Sequence, residues 1–143
     1  MSRVEVVAAA RLWLGTPYRH QAATLGAGCD CLGLLRGVWR TLHGDEPLAL
    51  PNYRADLRDA RHADELWTAA ERLLIARYGK PEAGQVVLFR LRRTTLPKHC
   101  GILVAPDRFI HAQEGLGVIE ANLTDGWRKR IFGLFEFPEI ARF

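Results

Sequence analysis

Residues 28–34 read Gly28-Cys29-Asp30-Cys31-Leu32-Gly33-Leu34, and Leu32, Leu35, Val38, Trp39 and Leu42 then recur at helical spacing as far as Gly44. This stretch reads as the start of an amphipathic helix. Asp30 is placed to cap it, because a short carboxylate accepts hydrogen bonds from the unpaired amides of a first turn. Gly44 is placed to end it. Cys31 then lies in the first turn, where unpaired N–H groups and the positive end of the helix dipole favour thiolate over thiol. The same amides could hold an oxyanion once a thiolate attacks a carbonyl. Two other readings stay open here: Cys31 as a small buried hydrophobe, or Cys29 and Cys31 as part of a metal clip or disulfide.

Upstream, Val4, Val7, Ala8 and Leu12 fall on one face of an expected N-terminal helix that Gly15 can close. Residues 16–28, with Pro17, Gly26 and Gly28 and no clear period, read as loop. Downstream, residues 45–55 hold Pro47 and Pro51 and read as a connection. Leu66, Trp67, Ala70, Leu73, Leu74 and Arg77 mark a third helix, closed by Gly79 and Pro81. After Pro81 the pattern turns to strands: Gln85–Leu91, Cys100–Ala105, Phe109–Ala112, Val118–Ala121 and Ile131–Phe137. Pro106-Asp107 supplies one turn and Glu114-Gly115-Leu116-Gly117 another. Helices followed by closely spaced strands predict an α+β domain, with helices packed on one face of an antiparallel sheet.

The chain has 143 residues, enough for a core without staples, and reads as one domain over residues 1–143. Its three cysteines, an odd number, argue against a disulfide framework. The net charge of +4 is mild and dispersed along the chain, so nucleic acid is not indicated as a partner. No apolar run approaches the length of a membrane span. Ser2-Arg3-Val4-Glu5 has the pattern of a helix capping box rather than an export signal, so synthesis and folding in the cytoplasm are expected.

A cysteine nucleophile needs a base, usually histidine, oriented by a third polar group. Of the five histidines, His43 and His62 sit in charge-rich helical surroundings and read as surface residues, and His20 lies in the loop before Cys31. His99 and His111 are twelve positions apart on two predicted strands joined by the Pro106-Asp107 turn. Antiparallel pairing about that turn would bring the two rings together. The competing metal set is Cys29, Cys31, His99 and Cys100, ligand types suited to zinc. Cys-x-Cys is tighter than usual zinc spacing. His99 and Cys100 should also face opposite ways from one strand, so that if His99 faces the helix start, Cys100 faces away. No metal and no cofactor is therefore expected.

Gly15-Thr16-Pro17-Tyr18, Asp30-Cys31-Leu32-Gly33-Leu34, His99-Cys100-Gly101-Ile102 and Phe109-Ile110-His111-Ala112, in this order, resemble the NlpC-type papain-like cysteine peptidases from about Arg11 onward. The resemblance implies Cys31 as nucleophile, His99 as general base and His111 as the group orienting His99. It implies an oxyanion or substrate-binding role for Tyr18, and it matches Asp30 to the aspartate before the nucleophile. The implied substrate is bacterial peptidoglycan peptides, typically between D-glutamate and a diamino acid. GCDCLGL with the preceding GTPYRHQ looks like the branch found in phages, prophages and gene transfer agents. That likeness implies tail-tip or baseplate proteins as partners and action in the periplasm or cell wall of a target cell. A non-catalytic tail-tip protein and a zinc-stabilised binding domain are the alternatives. Three positions depart from the family: Leu32 where serine is frequent, Cys100 where valine is common, and Gln85 where aspartate is frequent.

Two further groups are weighed as solvated or structural. Arg90, Arg92, Arg93 and Lys98 surround the loop ahead of His99 and could grip carboxylates, although exposed charges of this kind usually do little. Trp127, beside Arg128-Lys129-Arg130, reads as a structural tryptophan. Trp13, Trp39 and Trp67 read as core.

Overall fold

A computed structural model describes residues 3–46, 65–91 and 96–139. Most of the connection expected over residues 45–55 lies outside the described residues, as do Ser2 of the capping box, His62, Arg92 and Arg93. The elements run in the order α1 (Arg3–Arg11), β1 (Ala23–Thr24), β2 (Gly28–Cys29), α2 (Cys31–His43), α3 (Glu65–Leu73), β3 (Ile75–Arg77), β4 (Val86–Arg90), β5 (Pro97–Ala105), β6 (Arg108–Gln113), β7 (Gly117–Asn122), α4 (Asp125–Arg128) and β8 (Ile131–Glu136). Six strands form one sheet in the order β3-β8-β4-β5-β6-β7, with every neighbouring pair antiparallel. β4 to β7 follow the expected meander, while β8 returns to lie between β3 and β4. Among the described residues no helix is long and apolar enough to cross a membrane.

Both faces of this sheet are covered. On β4, Val86 and Leu88 join a core cluster with α1, α2 and α3, while Val87 and Phe89 join a second cluster on the opposite face with Leu103, Phe109, Leu123 and Leu134. A strand buried on both sides loses the apolar-polar alternation and becomes a short continuous apolar run, as Val86 to Phe89 is.

α2 is the pivot of the helical layer. Gly44 ends it with φ +80°, its amide donating to the Arg40 carbonyl at 2.9 Å. A Cβ on Gly37 would sit 1.9 Å from the Trp13 ring, so only glycine lets that indole lie against α2. This contact corrects the expected face of α1. Val4 and Leu12 are exposed, and the buried stripe is Val6, Ala9, Ala10 and Trp13. The small alanines let α1 approach closely while Trp13 fills the space above Gly37.

Two other expectations change. The third helix stops at Leu73, and Ile75–Arg77 forms the edge strand β3 on β8. The open hydrogen-bonding edge of β8 outweighs a helical pattern that buries nothing here, since all three β3 residues are exposed. The loop between α1 and α2 contains the small β1–β2 hairpin, with Tyr18 bridging in parallel to Cys29.

Candidate active site

The start of α2 is gripped from two sides by Asp30. Its Oδ1 accepts from the Gly33 amide at 2.7 Å and its Oδ2 from the Gln21 amide at 2.7 Å. Gln21 adopts φ +59°, which turns its amide toward that carboxylate. A Cβ on Gly33 would meet the Ala22 carbonyl oxygen at 1.9 Å, so the 21–22 turn rests directly on the first turn of α2. The Leu34 amide goes to the Asp30 carbonyl. The amides of Cys31 and Leu32 therefore stand at the helix head as donors for a ligand, beside the positive end of the dipole.

The two imidazoles meet across β5 and β6. His99 Nε2 lies 2.7 Å from His111 Nδ1, with the rings edge to face. Gly101 makes this possible, because a Cβ there would crowd the Ile110 carbonyl, the Phe109 ring and His111 Cβ. His111 is buried, and burial followed by the positive charge available on His99 pushes its pKa down to about 3. It is a neutral ring at ordinary pH. When His99 is charged, its Nε2–H can only donate to the lone pair on His111 Nδ1.

Aromatic rings wall the pair. Phe89 stacks on His99 with centroids 6.2 Å apart, and Phe109 lies 4.6 Å from His111. Trp127 stands 5.9 Å from His99 and 5.5 Å from His111. It comes from the four-residue helix α4, capped by Thr124, which the sequence pattern does not show. Trp127 packs on the second core cluster, as a structural tryptophan should, yet its position against both imidazoles is not legible from the sequence.

Cys31 joins this pair to the helix. Its pKa falls to about 5 beside Cys100 and His99. The hydrogen-bonding influence of the Cys100 thiol is the largest cause. Burial opposes it, the His99 hydrogen bond and charge add to it, and the Asp30 carboxylate works against it. With His99 Nε2 engaged by His111, Nδ1 is the nitrogen left for the sulfur. The expected placement of Cys100 needs correction. It does project to the face opposite the Phe89 ring, into the α2 side of the core, but that is where Cys31 lies. Cys100 Sγ donates to the Cys31 carbonyl oxygen at 3.2 Å. Burial, then the hydrogen bond and charge of Cys31, hold the Cys100 thiol protonated.

Other candidates lie around this centre. Tyr18 is half-buried against the α2-side core, and its ring meets that of the exposed His20 edge-on at 5.3 Å. Cys29 is fully buried in β2, its amide on the Pro17 carbonyl and its carbonyl on the Arg19 amide. Burial pushes its thiol up to about 12, so it is no nucleophile at neutral pH. Among the described residues no three or more His, Cys, Asp or Glu side chains are grouped so as to hold a metal ion. Arg90 reaches the Ile131 carbonyl at 3.4 Å, away from the imidazoles. His43 is not a free surface residue: it stacks on Trp39 at 4.4 Å, and burial lowers its pKa. A narrow apolar cleft between α2 and α3, lined by Leu35, Trp39, Leu66 and Phe137, is separate from the cysteine.

Residues 15–136 match the sequence profile of the NlpC/P60 family. The gamma-DL-glutamyl hydrolase of Bacillus subtilis (strain 168) is 30% identical over 138 residues, covering 96% of this chain and 30% of that protein. The murein DD-endopeptidase MepS/murein LD-carboxypeptidase of Escherichia coli (strain K12) is 29% identical over 119 residues, 82% of this chain and 54% of that protein. The chain thus spans between about a third and about half of these curated relatives. Among solved structures, the NlpC/p60 domain of peptidoglycan hydrolase SagA superposes with TM-score 0.66 at 20% identity, over 96% of this chain and all of that one. A family protein from Bacillus cereus ATCC 10987 superposes with TM-score 0.66 at 18% identity, over 96% and 40% of the two chains. The fold is that of these domains, α+β and papain-like.

Proposed function

This chain belongs to the NlpC/P60 family, and from that membership we propose that it is a thiol endopeptidase acting on bacterial peptidoglycan. The observation that carries the reading is the His99–His111 pair, 2.7 Å from Nε2 to Nδ1, together with a helix-head Cys31 whose thiol it makes more acidic, with two amides to spare. In this mechanism Cys31 exists as a thiolate beside a protonated His99. The sulfur attacks the scissile carbonyl carbon, and the Cys31 and Leu32 amides receive the developing oxyanion. His99 passes its proton to the leaving amine, then takes one from the water that attacks the thioester, releasing the acid and restoring the thiolate. Neutral His111 orients His99 throughout and accepts from its charged form. Tyr18 lines the approach to the helix head as an oxyanion or substrate contact.

Digestion of purified peptidoglycan with wild type and Cys31→Ala, followed by mass spectrometry, tests this reading. Fragments released by wild type alone support it, and their masses separate a γ-glutamyl linkage from a cross-link between D-centres, the two chemistries named in its relatives. A Cys31→Ala protein as active as wild type would sink it. Absence of hydrolysis by both would favour a non-catalytic tail-tip role.

We also infer that the protein is carried by a phage-like tail, made in the cytoplasm and acting in the periplasm or wall of a target cell. The likeness of GTPYRHQ and GCDCLGL to the phage and gene-transfer-agent branch supports this. Proteomics of purified particles should find the chain together with tail-tip or baseplate proteins. Its confinement to cytosolic fractions would refute the delivery.

A further inference from the structure

The proposed hydrolysis uses one sulfur, yet two occupy the site. Cys100 Sγ is 3.2 Å from the Cys31 carbonyl oxygen, which sets its sulfur against the residue that carries the nucleophile, and the two thiols influence each other's ionisation. Cys100 is wholly shielded from solvent, whereas Cys31 keeps 6% of its surface accessible at the helix head. A small oxidant therefore meets Cys31 first, with the Cys100 sulfur lodged against the Cys31 backbone behind it.

We propose that Cys31 and Cys100 form a site of reversible oxidative modification, at which a peroxide oxidises Cys31 and Cys100 closes a disulfide. It rests on the reading of Cys31 as a thiolate nucleophile. In the first step the Cys31 thiolate attacks one oxygen of hydrogen peroxide, breaking the O–O bond. Sulfur becomes the sulfenic acid, the peroxide is reduced, and the departing hydroxide takes the His99 proton to leave as water. In the second step Cys100 sulfur attacks Cys31 sulfur. The S–O bond breaks, the hydroxyl departs with the Cys100 proton as a second water, and the S–S bond remains. A dithiol reductant returns both thiols and is itself oxidised to its disulfide.

Without a second thiol in contact, a sulfenic acid under continued peroxide advances to sulfinic and sulfonic acids, which ordinary thiols do not reverse. Cys100 would divert Cys31 from that end while leaving it temporarily blocked. Cys29 is not the partner despite its nearness in sequence. Cys29 is held in β2 by its backbone bonds to Pro17 and Arg19, whereas Cys100 Sγ lies against the Cys31 carbonyl.

The test treats the full chain with hydrogen peroxide, blocks remaining thiols, and maps peptides without reduction, with peptidoglycan hydrolysis assayed before and after a dithiol. Wild type should yield a Cys31–Cys100 cross-linked peptide and lose activity that the dithiol restores in full. Cys29→Ala should give the same cross-link. Cys100→Val, and Cys100→Ser should the first not fold, should carry sulfinic or sulfonic Cys31 after the same dose, with no recovery. A cross-link through Cys29, or wild type oxidised as irreversibly as Cys100→Val, would overturn the proposal. A mapped Cys31–Cys100 bond in a protein that cuts no peptidoglycan would leave the inference standing and remove the peptidase. Cys31-dependent hydrolysis with no cross-link would do the opposite.

Discussion

Cys31 owes its low pKa, about 5, to two neighbours on one strand, and one of them, Cys100, also touches its carbonyl. Alkylation of Cys31 measured against pH should therefore follow a midpoint far below that of an ordinary thiol. Cys100→Val and His99→Ala should each move that midpoint up, while Asp30→Asn, which keeps an acceptor for the Gly33 amide but removes the opposing charge, should move it down. An unchanged midpoint in Cys100→Val would remove that residue from the account. His111 acts by holding His99, so His111→Ala should lower kcat about ten- to hundredfold, the worth of a hydrogen bond to a charged group of about 1.5–3 kcal/mol. His111→Asn, which retains an acceptor, should recover part of that loss with KM unmoved; a loss confined to KM would contradict the role. The helix-start cysteine and the two strand histidines were visible in the sequence because helix caps and strand spacing are local signals. Cys100 and Trp127 were not, since their importance lies in contacts made across the sheet by elements remote in sequence.

At the scale of elements, α2 was legible because period, N-cap and terminal glycine agree, and consistency of independent local signals is what makes a segment fold as read. α1 was legible as a helix but not by face. A four-residue apolar stripe such as Val4, Val7, Ala8 and Leu12 competes with Val6, Ala9, Ala10 and Trp13, and only the groove above Gly37 decides between them. The end of α3 became β3 because pairing with β8 is a tertiary choice that propensity does not contain. Gly37→Ala should destabilise the fold by about 1–3 kcal/mol through overpacking against Trp13, read as a lower urea midpoint with an unchanged slope. Gly33→Ala should do more harm to activity than to stability, because it pushes the Ala22 carbonyl away from the turn carrying Cys31. A Gly33→Ala enzyme with full kcat/KM would show that this contact does not position the nucleophile.

Across the whole molecule, acid sensitivity is concentrated in the buried site. His111 is held neutral in the fold, with its pKa lowered from 6.5 to about 3, so the unfolded chain binds more protons between those values. Its contribution is present above about pH 6.5 and is lost as pH falls toward 3. Cys31, lowered from 9.0 to about 5, adds stability that is complete above pH 9 and declines as pH falls to 5. Chemical denaturation across pH should show stability climbing from acid through neutrality, and Cys31→Ser should flatten the climb between about 5 and 9. By contrast, Arg3 and Arg77 meet Glu136 at the protein surface, and Glu136→Gln should change stability by less than about 1 kcal/mol. The return of β8 between β3 and β4 has a consequence for synthesis on the ribosome. Val86, Val87, Leu88 and Phe89 have no exposed surface in the finished sheet, yet until residues 131–136 have left the exit tunnel β4 is a bare edge, unpaired on one side and apolar on both faces. A chain whose translation stops in that window presents a sticky template to its neighbours on the polysome, so the final strand serves as the molecule's protection against its own aggregation.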